Sequence, residues 1–410
     1  MSISLFNGLS GLSSYQRMLD VISNNISNVN SHGFKAQSFN MVENKSQTVR
    51  QGSSPTEDLG GTNPIQVGYG VKAGSVSADF TQGTLESTNR TLDMAIQGDG
   101  FFVLKDSAGS KNFSRVGNFA LDSTGYLVDQ GTGYRVQSAQ GNILIEKDAP
   151  LNPKASSEVS IRGNLNAATT FPNGNTISTN IQVLDSRGEE HKVSFVLEKT
   201  ANLSWKMTAS LPDADGVLSD NLVEGITFNE NGSFAGVTGT GSGDNKIIAT
   251  FNGLATPQEI TFDLGTVGGF DGLTQLGGDS TASAVEQNGY ATGSLLNLSV
   301  KPDGTLVGQY SNGQRQNLAE LQVATFSNPE GLEKTENNMY IESSNSGQPV
   351  YGKALSGRAG SVLGGKLEAS NVDLTKEMAL MIVAQRGFQV NARVVTVSNE
   401  ILQEIAGLVR

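Results

Sequence analysis

Apolar residues recur at alternating spacings of four and three from Leu374 to the end of the chain. They run through Leu374, Met378, Met381, Gln385, Phe388, Ala392, Val395, Asn399, Leu402, Ala406 and Val409, and only Gln385 and Asn399 break the apolar set. A 4-3 repeat holds one stripe on one helix face and marks a seam between packed helices. It predicts one amphipathic helix over the final 37 residues. Leu5, Leu9, Leu12, Gln16, Leu19, Ser23 and Ile26 follow the same spacing more loosely and predict a second helix over the first 30 residues. A serine between Ser2 and Ser4 can cap its free N–H groups, and Gly33 suits the left-handed position past its end. A charged His32 there would favour the helix dipole.

Between the helices the pattern changes. Residues 34–70 are polar and hold Ser53-Ser54-Pro55, Gly60-Gly61 and Asn63-Pro64. They are expected to form an extended linker with little packing of its own. From Val71 short alternating runs appear, among them Met94–Ile96, Phe101–Leu104 and Tyr126–Val128, punctuated by Gly98, Gly100, Gly109, Gly117 and Gly125. Strand and turn at this spacing predict an antiparallel β domain. It resumes with Leu298–Val300, a Pro302-Asp303-Gly304 turn and Thr305–Tyr310, which reads as a hairpin. Residues 149–285 open with Pro150 and Pro153 and are again strand-rich, with a Gly239–Gly243 loop. The expected fold is mixed: long N- and C-terminal helices form a coiled-coil-like inner domain, and two mainly antiparallel β domains are inserted between them. The inner domain takes 1–33 and 367–410. The first β domain takes 71–148 and 286–366, including a hinge to the last helix, and the inserted outer β domain takes 149–285.

Composition narrows the function. At 410 residues the chain is long enough for two or three domains of about 150 residues. Its 28 Lys+Arg against 40 Asp+Glu give a net charge of -12, which argues against nucleic acid and anionic membrane surfaces. With no cysteine, disulfides, thiolate zinc sites and cysteine nucleophiles are excluded. The 49 glycines exceed the usual share of about 7%, and many sit in Asn-Gly, Asp-Gly and Ser-Gly pairs that mark turns. No run approaches the roughly 18 apolar residues that span a bilayer. Met1–Phe6 has neither a basic start nor an apolar core, so no cleaved signal peptide is expected.

Candidate chemistry is thin. Gly360–Leu367 nearly spells a phosphate loop, but Leu367 stands where the motif needs Ser or Thr on Mg²⁺. It reads as a flexible hinge. Asp213, Asp215 and Glu224 match three positions of a calcium loop, but Val217 and Leu218 stand where a ligand and a glycine belong. His191 follows Asp185, Glu189 and Glu190, yet no nucleophile elbow accompanies it, and it reads as part of a surface strand. No catalytic, cofactor or metal residues are assigned. Gly387 inside the last helix costs about 1 kcal/mol relative to Ala. It is either a tolerated surface glycine or a point of close helix approach.

Three blocks carry a family resemblance. Leu19–Lys35, reading LDVISNNISNVNSHGFK, closely resembles the N-terminal signature of bacterial flagellar rod and hook proteins. Leu92–Leu104, reading LDMAIQGDGFFVL, is similar to their shared β-domain motif, and Leu367–Arg386 to their C-terminal signature. The length resembles hook-type members, because the distal rod type is expected to lack most of the inserted domain. The resemblance implies a structural subunit without catalysis or cofactor. Such subunits leave through the flagellar type III export apparatus uncleaved and stack under a hook cap protein into a curved hollow homopolymer. That tube is a universal joint between the distal rod protein and the hook-filament junction protein. Its terminal helices line the inner wall, so the residues expected to drive self-assembly are Leu5, Leu9, Leu12, Leu19, Ile26, Leu374, Met378, Met381, Phe388, Val395, Leu402 and Val409. Helices with so little to pack against are expected to order only on assembly. Ser398 lies off the expected stripe. A distal rod subunit, a secreted β-rich adhesin and a carboxylate hydrolase are the readings weighed against this one.

Overall fold

The structure is a computed structural model that describes residues 3–55, 60–171, 174 and 176–408. Two α-helices bracket a β-rich middle: α1 spans Ile3–Ser27 and α2 spans Leu374–Leu408. The chain forms two compact units. One comprises Met1–Glu146, Leu298–Gly308 and Gln316–Arg410, and the other Lys147–Asn297 with Gln309–Arg315.

The unit around Lys147–Asn297 holds two sheets that share one core. Strand Glu190–Ala201 shows why: His191, Val193, Phe195, Leu197 and Lys199 are buried while the residues between them are not. Alternate side chains of a strand face opposite sides, so this period of two lays one apolar face inward. Phe195, Trp205, Ile226, Phe251, Ile260 and Phe262 meet in that core. The strands of this unit pair antiparallel, except that Glu158–Asn164 runs parallel to Gln258–Asp263 and Leu273–Thr274. The unit also closes later in sequence than expected. Ser283–Gln287 pairs with Glu158–Asn164, and bridges join Lys154 to Tyr290 and Leu151 to Gly293. These pairings carry the inserted unit past 285 to Asn297.

The other unit holds both helices and a second β core. Strand Phe101–Lys105 pairs with Lys111–Ser114, Arg135–Ser138 and Val323–Thr325. Phe101 to Leu104 are all buried, as expected of a strand covered on both faces. Phe101, Phe113, Phe326 and Tyr340 pack edge to face, with Phe113 and Phe326 centred 4.8 Å apart. In the hairpin turn after Val300, Gly304 takes a φ of +82° and donates its N–H to Lys301 O at 2.9 Å.

Two expectations in this unit are corrected. Residues 34–70 are not a bare linker. Gln37–Glu43 pairs with Val71–Ala78, Ser46–Arg50 pairs with Ile65–Gly68, and together they make a long two-stranded ribbon. The ribbon is tied to α1. Asn25 Nδ2 donates to Gln37 O at 2.7 Å and Asn25 Oδ1 accepts from Gln37 N at 2.9 Å. Nor is Gly360–Lys366 a free hinge. Ser361–Gly364 pairs with Met94–Gln97, and Lys366–Glu368 with Leu85–Ser87. Backbone pairing needs no apolar side chains, and so a polar or glycine-rich run conceals it.

Candidate functional site

The helices are anchored where they leave the β core. α2 starts at a capping residue: Asp373 Oδ1 accepts from Thr375 N at 2.9 Å and Lys376 N at 3.2 Å. Helix α1 ends at Ser27, before the expected Gly33. Gly33 instead serves close approach. It has a φ of +65°, its N–H donates to Glu368 O at 2.7 Å, and a Cβ there would lie 2.9 Å from Val116 N. His32 faces Glu86 at 3.9 Å on the surface. Beneath, Lys35 Nζ lies 2.7 Å from Glu368 Oε1 and also donates to Thr81 O, with both charged side chains 1% exposed. Arg115 Nη1 is 3.8 Å from Glu368 Oε2 and donates to Gly98 O. Burial lowers both cations' pKa values, against the pull of Glu368.

Above this anchor α1 and α2 pack in opposite directions, with Ser4 against Ser398 at 3.3 Å. The contact is made by small residues. A Cβ on Gly8 would lie 2.9 Å from Val395 Cγ2, and one on Gly387 2.5 Å from the Tyr15 ring; one on Gly11 would collide with the Asn391 amide. On α2 the covered column is Ala384, Asn391 and Ser398, seven residues apart. The expected stripe paired Met381, Phe388, Val395 and Leu402 with Gln385, Ala392 and Asn399. The structure pairs that column with the small residues one position earlier. Ser398 is therefore buried in the helix contact rather than off it. Gly387 is a point of close approach.

The expected assembly residues fall into two groups. Leu5, Leu12, Leu19, Ile26, Met381 and Val395 are half-buried. Leu9, Leu374, Met378, Phe388 and Leu402 are exposed. Val409 and the side chain of Ala406 lie outside the described residues. Leu402, one turn beyond Ser398 on α2, is exposed.

The structure adds residues that the 4-3 reading missed. Val383, Val390, Val394, Val397, Ile401 and Ile405 form a further stripe, each between 39% and 61% exposed. Its signal in the sequence is a seven-residue recurrence of β-branched residues, Val383, Val390, Val397 and again Val394, Ile401. A charged face of Arg386, Arg393, Glu400 and Glu404 separates it from the Leu374–Met378 side. Exposed apolar residues also dot the ribbon at Val42, Val49, Ile65 and Val76. His191 is corrected too: it is buried and stacked on Phe251 with ring centres 4.1 Å apart. Among the described residues no helix is long and apolar enough to cross a membrane.

Four family descriptions match the chain in order. Residues 5–35 match a flagella basal body rod protein, and 95–183 the D1 domain of flagellar hook protein FlgE/F/G. Residues 145–290 match the D2 domain of flagellar basal body protein FlaE, and 363–408 the C-terminal part of flagellar basal body rod FlgEFG protein. Flagellar hook protein FlgE of Borreliella burgdorferi is 33% identical, with all of both chains covered. Flagellar basal-body rod protein FlgG of Bacillus subtilis is 30% identical with 99% of each covered, so length alone does not separate hook from rod. A crystal structure of Helicobacter pylori flagellar hook protein FlgE2 shares the fold at a TM-score of 0.52 and 15% identity, covering 69% of this chain and 100% of that one. Full-length identity of this order, together with family matches from the first helix to the last, makes the chain a member of the flagellar hook protein family.

Proposed function

We propose that the chain is a non-catalytic subunit that polymerises through its terminal helices into the curved hollow hook, the joint that transmits torque from rod to filament. The observation that carries this reading is the uncovered apolar surface of α2. Soluble chains rarely leave so continuous a stripe in water, and an exposed patch of this kind marks an interaction surface. Helices α1 and α2 form the coiled-coil-like inner layer of the tube. A subunit contact whose rotation does not close on itself yields an open helical polymer. The cap protein, distal rod protein and junction protein meet this polymer at its ends, and the type III apparatus exports the chain uncleaved. A straight rod is the nearest rival, and electron micrographs of assembled material, curved or straight, decide between them.

The α2 surface gives the direct test. Val390 and Leu402 are exposed in the single chain, so Val390→Asp and Leu402→Asp should leave its melting temperature near wild type. Buried between subunits, either Asp would be an unpaired charge costing several kcal/mol. At about 1.4 kcal/mol per tenfold, the critical concentration should rise at least about a hundredfold. Gln389→Asp, on the polar side of the helix, should assemble normally. Sedimentation of the three variants measures this, and wild-type polymerisation of both Val390→Asp and Leu402→Asp would refute the helix-driven reading.

A further inference from the structure

Asp185 ends the strand Ile177–Leu184, and the chain turns through Gly188, at a φ of +83°, into Glu190–Ala201. The Asp185 carboxylate is fixed on one side only. Its Oδ1 accepts backbone N–H groups from Arg187 at 2.8 Å and Glu189 at 2.9 Å. Its Oδ2 is buried and has no hydrogen-bond partner. His191 points at that oxygen, with Nε2 3.6 Å away, and is 5% exposed. Neither ring nitrogen of His191 has a hydrogen-bond partner. A buried imidazole with both nitrogens idle is unusual, because nearly all buried polar atoms in folded proteins are satisfied. Glu189, exposed at the mouth of the turn, brings a third donor, and the ligand atoms of all three lie within 4.8 Å of one another.

We propose that Asp185, Glu189 and His191 bind a divalent first-row transition cation, zinc-like in its donor preference. One imidazole and two carboxylates suit Zn²⁺, Ni²⁺ or Cu²⁺, whereas Ca²⁺ and Mg²⁺ favour all-oxygen shells. Adjacent donors on a tetrahedral zinc ion stand about 3.3 Å apart, given bonds of about 2.0 Å. The Asp185–His191 spacing is already close to that, and the exposed Glu189 closes the remainder. The two backbone N–H bonds to Oδ1 orient the carboxylate from behind, as outer-shell partners of metal ligands do. Its pKa lies below the usual 3.8: burial pushes it up, but the N–H bonds of Glu189 and Arg187 and the His191 contact prevail. One group opposes the cation. Arg187 Nε lies 3.6 Å from Oδ2, on a half-exposed side chain whose Nη2 donates to Asn252 O. It balances Asp185 while the site is empty and must swing out when a cation enters. The bound ion would tie the turn 185–189 to the strand behind it and stiffen that end of the unit.

The chain has only two histidines, which makes the test clean. The dilute full-length monomer is titrated with Zn²⁺ and, separately, with Ca²⁺, while the Hε1 resonance of each of the two imidazoles is followed by NMR. The His191 resonance should shift and saturate at one equivalent of Zn²⁺, with His32 unmoved and Ca²⁺ without effect. Glu189→Gln, an exposed change, should weaken binding at least about tenfold. His191→Asn should abolish it, Arg187→Gln should tighten it, and His32→Asn should leave it unchanged. Tryptophan emission from Trp205, buried in the same core, verifies that each variant is folded. Absence of saturable Zn²⁺ binding, binding that follows His32, or affinity untouched by Glu189→Gln would each overturn the proposal.

Discussion

Glu368 holds two cations with one carboxylate. Lys35 and Arg115 are both nearly inaccessible, and the remaining oxygen of Glu368 and the Nε of Arg115 have no hydrogen-bond partner. Tyr340 closes the pocket, and burial pushes its hydroxyl pKa up to about 12. With two positive charges against one negative, the partners are not equivalent. Glu368→Gln leaves two buried cations uncompensated, a change of the kind that costs about 3–5 kcal/mol. Lys35→Met removes the surplus charge and keeps the Arg115–Glu368 pair, so it should cost clearly less. Denaturant unfolding followed by far-ultraviolet CD, to which both helices contribute, should rank them in that order; the reverse order would mean that Lys35 rather than Glu368 is the keystone. None of these residues stood out in the sequence. They are separated by up to 333 positions, and a buried ion cluster built from three distant segments has no local pattern. His191 was hidden for a related reason: a polar residue in an alternating strand reads as outward-facing until the turn that supplies its partner is known.

At the scale of elements, the terminal helices were legible and their pairing was not. Long 3.6-residue periodicity is a strong signal, and it placed both helices within a few residues. The seam was read from the largest apolar side chains. The chain instead uses Gly8, Gly11, Ala384 and Gly387, because small residues let two helix backbones approach. That choice frees the larger residues for the outer surfaces. It also makes a testable sign reversal. In an isolated helix Gly→Ala stabilises by up to about 1 kcal/mol. At Gly387 the added methyl meets the Tyr15 ring, so Gly387→Ala should instead weaken the α1–α2 pair in the wild-type background. With Tyr15→Ala already present the clash is gone, and the same substitution should stabilise. Hydrogen exchange of α2 amides in the four variants of this cycle measures both signs. Equal stabilisation in both backgrounds would show that the helices do not approach closely there. The ribbon at 37–50 and 65–78 was only partly legible: alternation begins at Val71, but half of 37–50 is Ser, Gln, Asn and Thr, which hides the partner strands, and the helix it packs on is some 60 positions away.

At the scale of the whole chain, two β regions were readable from strand-turn spacing, but their borders were not. The inserted unit is closed by Leu151–Gly293 and Lys154–Tyr290, pairings between segments with no apolar signature, and this is why the border expected at 285 falls short of Asn297. Each unit has its own aromatic core, one around Trp205 and Phe195 and the other around Phe101 and Tyr340. Two cores that share no residue are expected to unfold as separate cooperative units, so a single two-state transition should fail for the full chain. The sequence supplies the probe, since Trp205 is the only tryptophan and is fully buried in the inserted unit. Its emission should report one denaturant midpoint and far-ultraviolet CD, to which both helices contribute, another. Replacing 147–297 by a short Gly-Ser linker should remove the fluorescence transition and leave the helix-reported one in place. If the helices polymerise the chain, that shortened protein should still form tubes, with altered bending. Replacing 150–284 instead would strand Ser283–Gln287, Tyr290 and Gly293 without their partners and should aggregate. Coincident midpoints in the full chain, or loss of the CD transition after the 147–297 excision, would show that the two units fold as one and that the inserted unit is not an independent module.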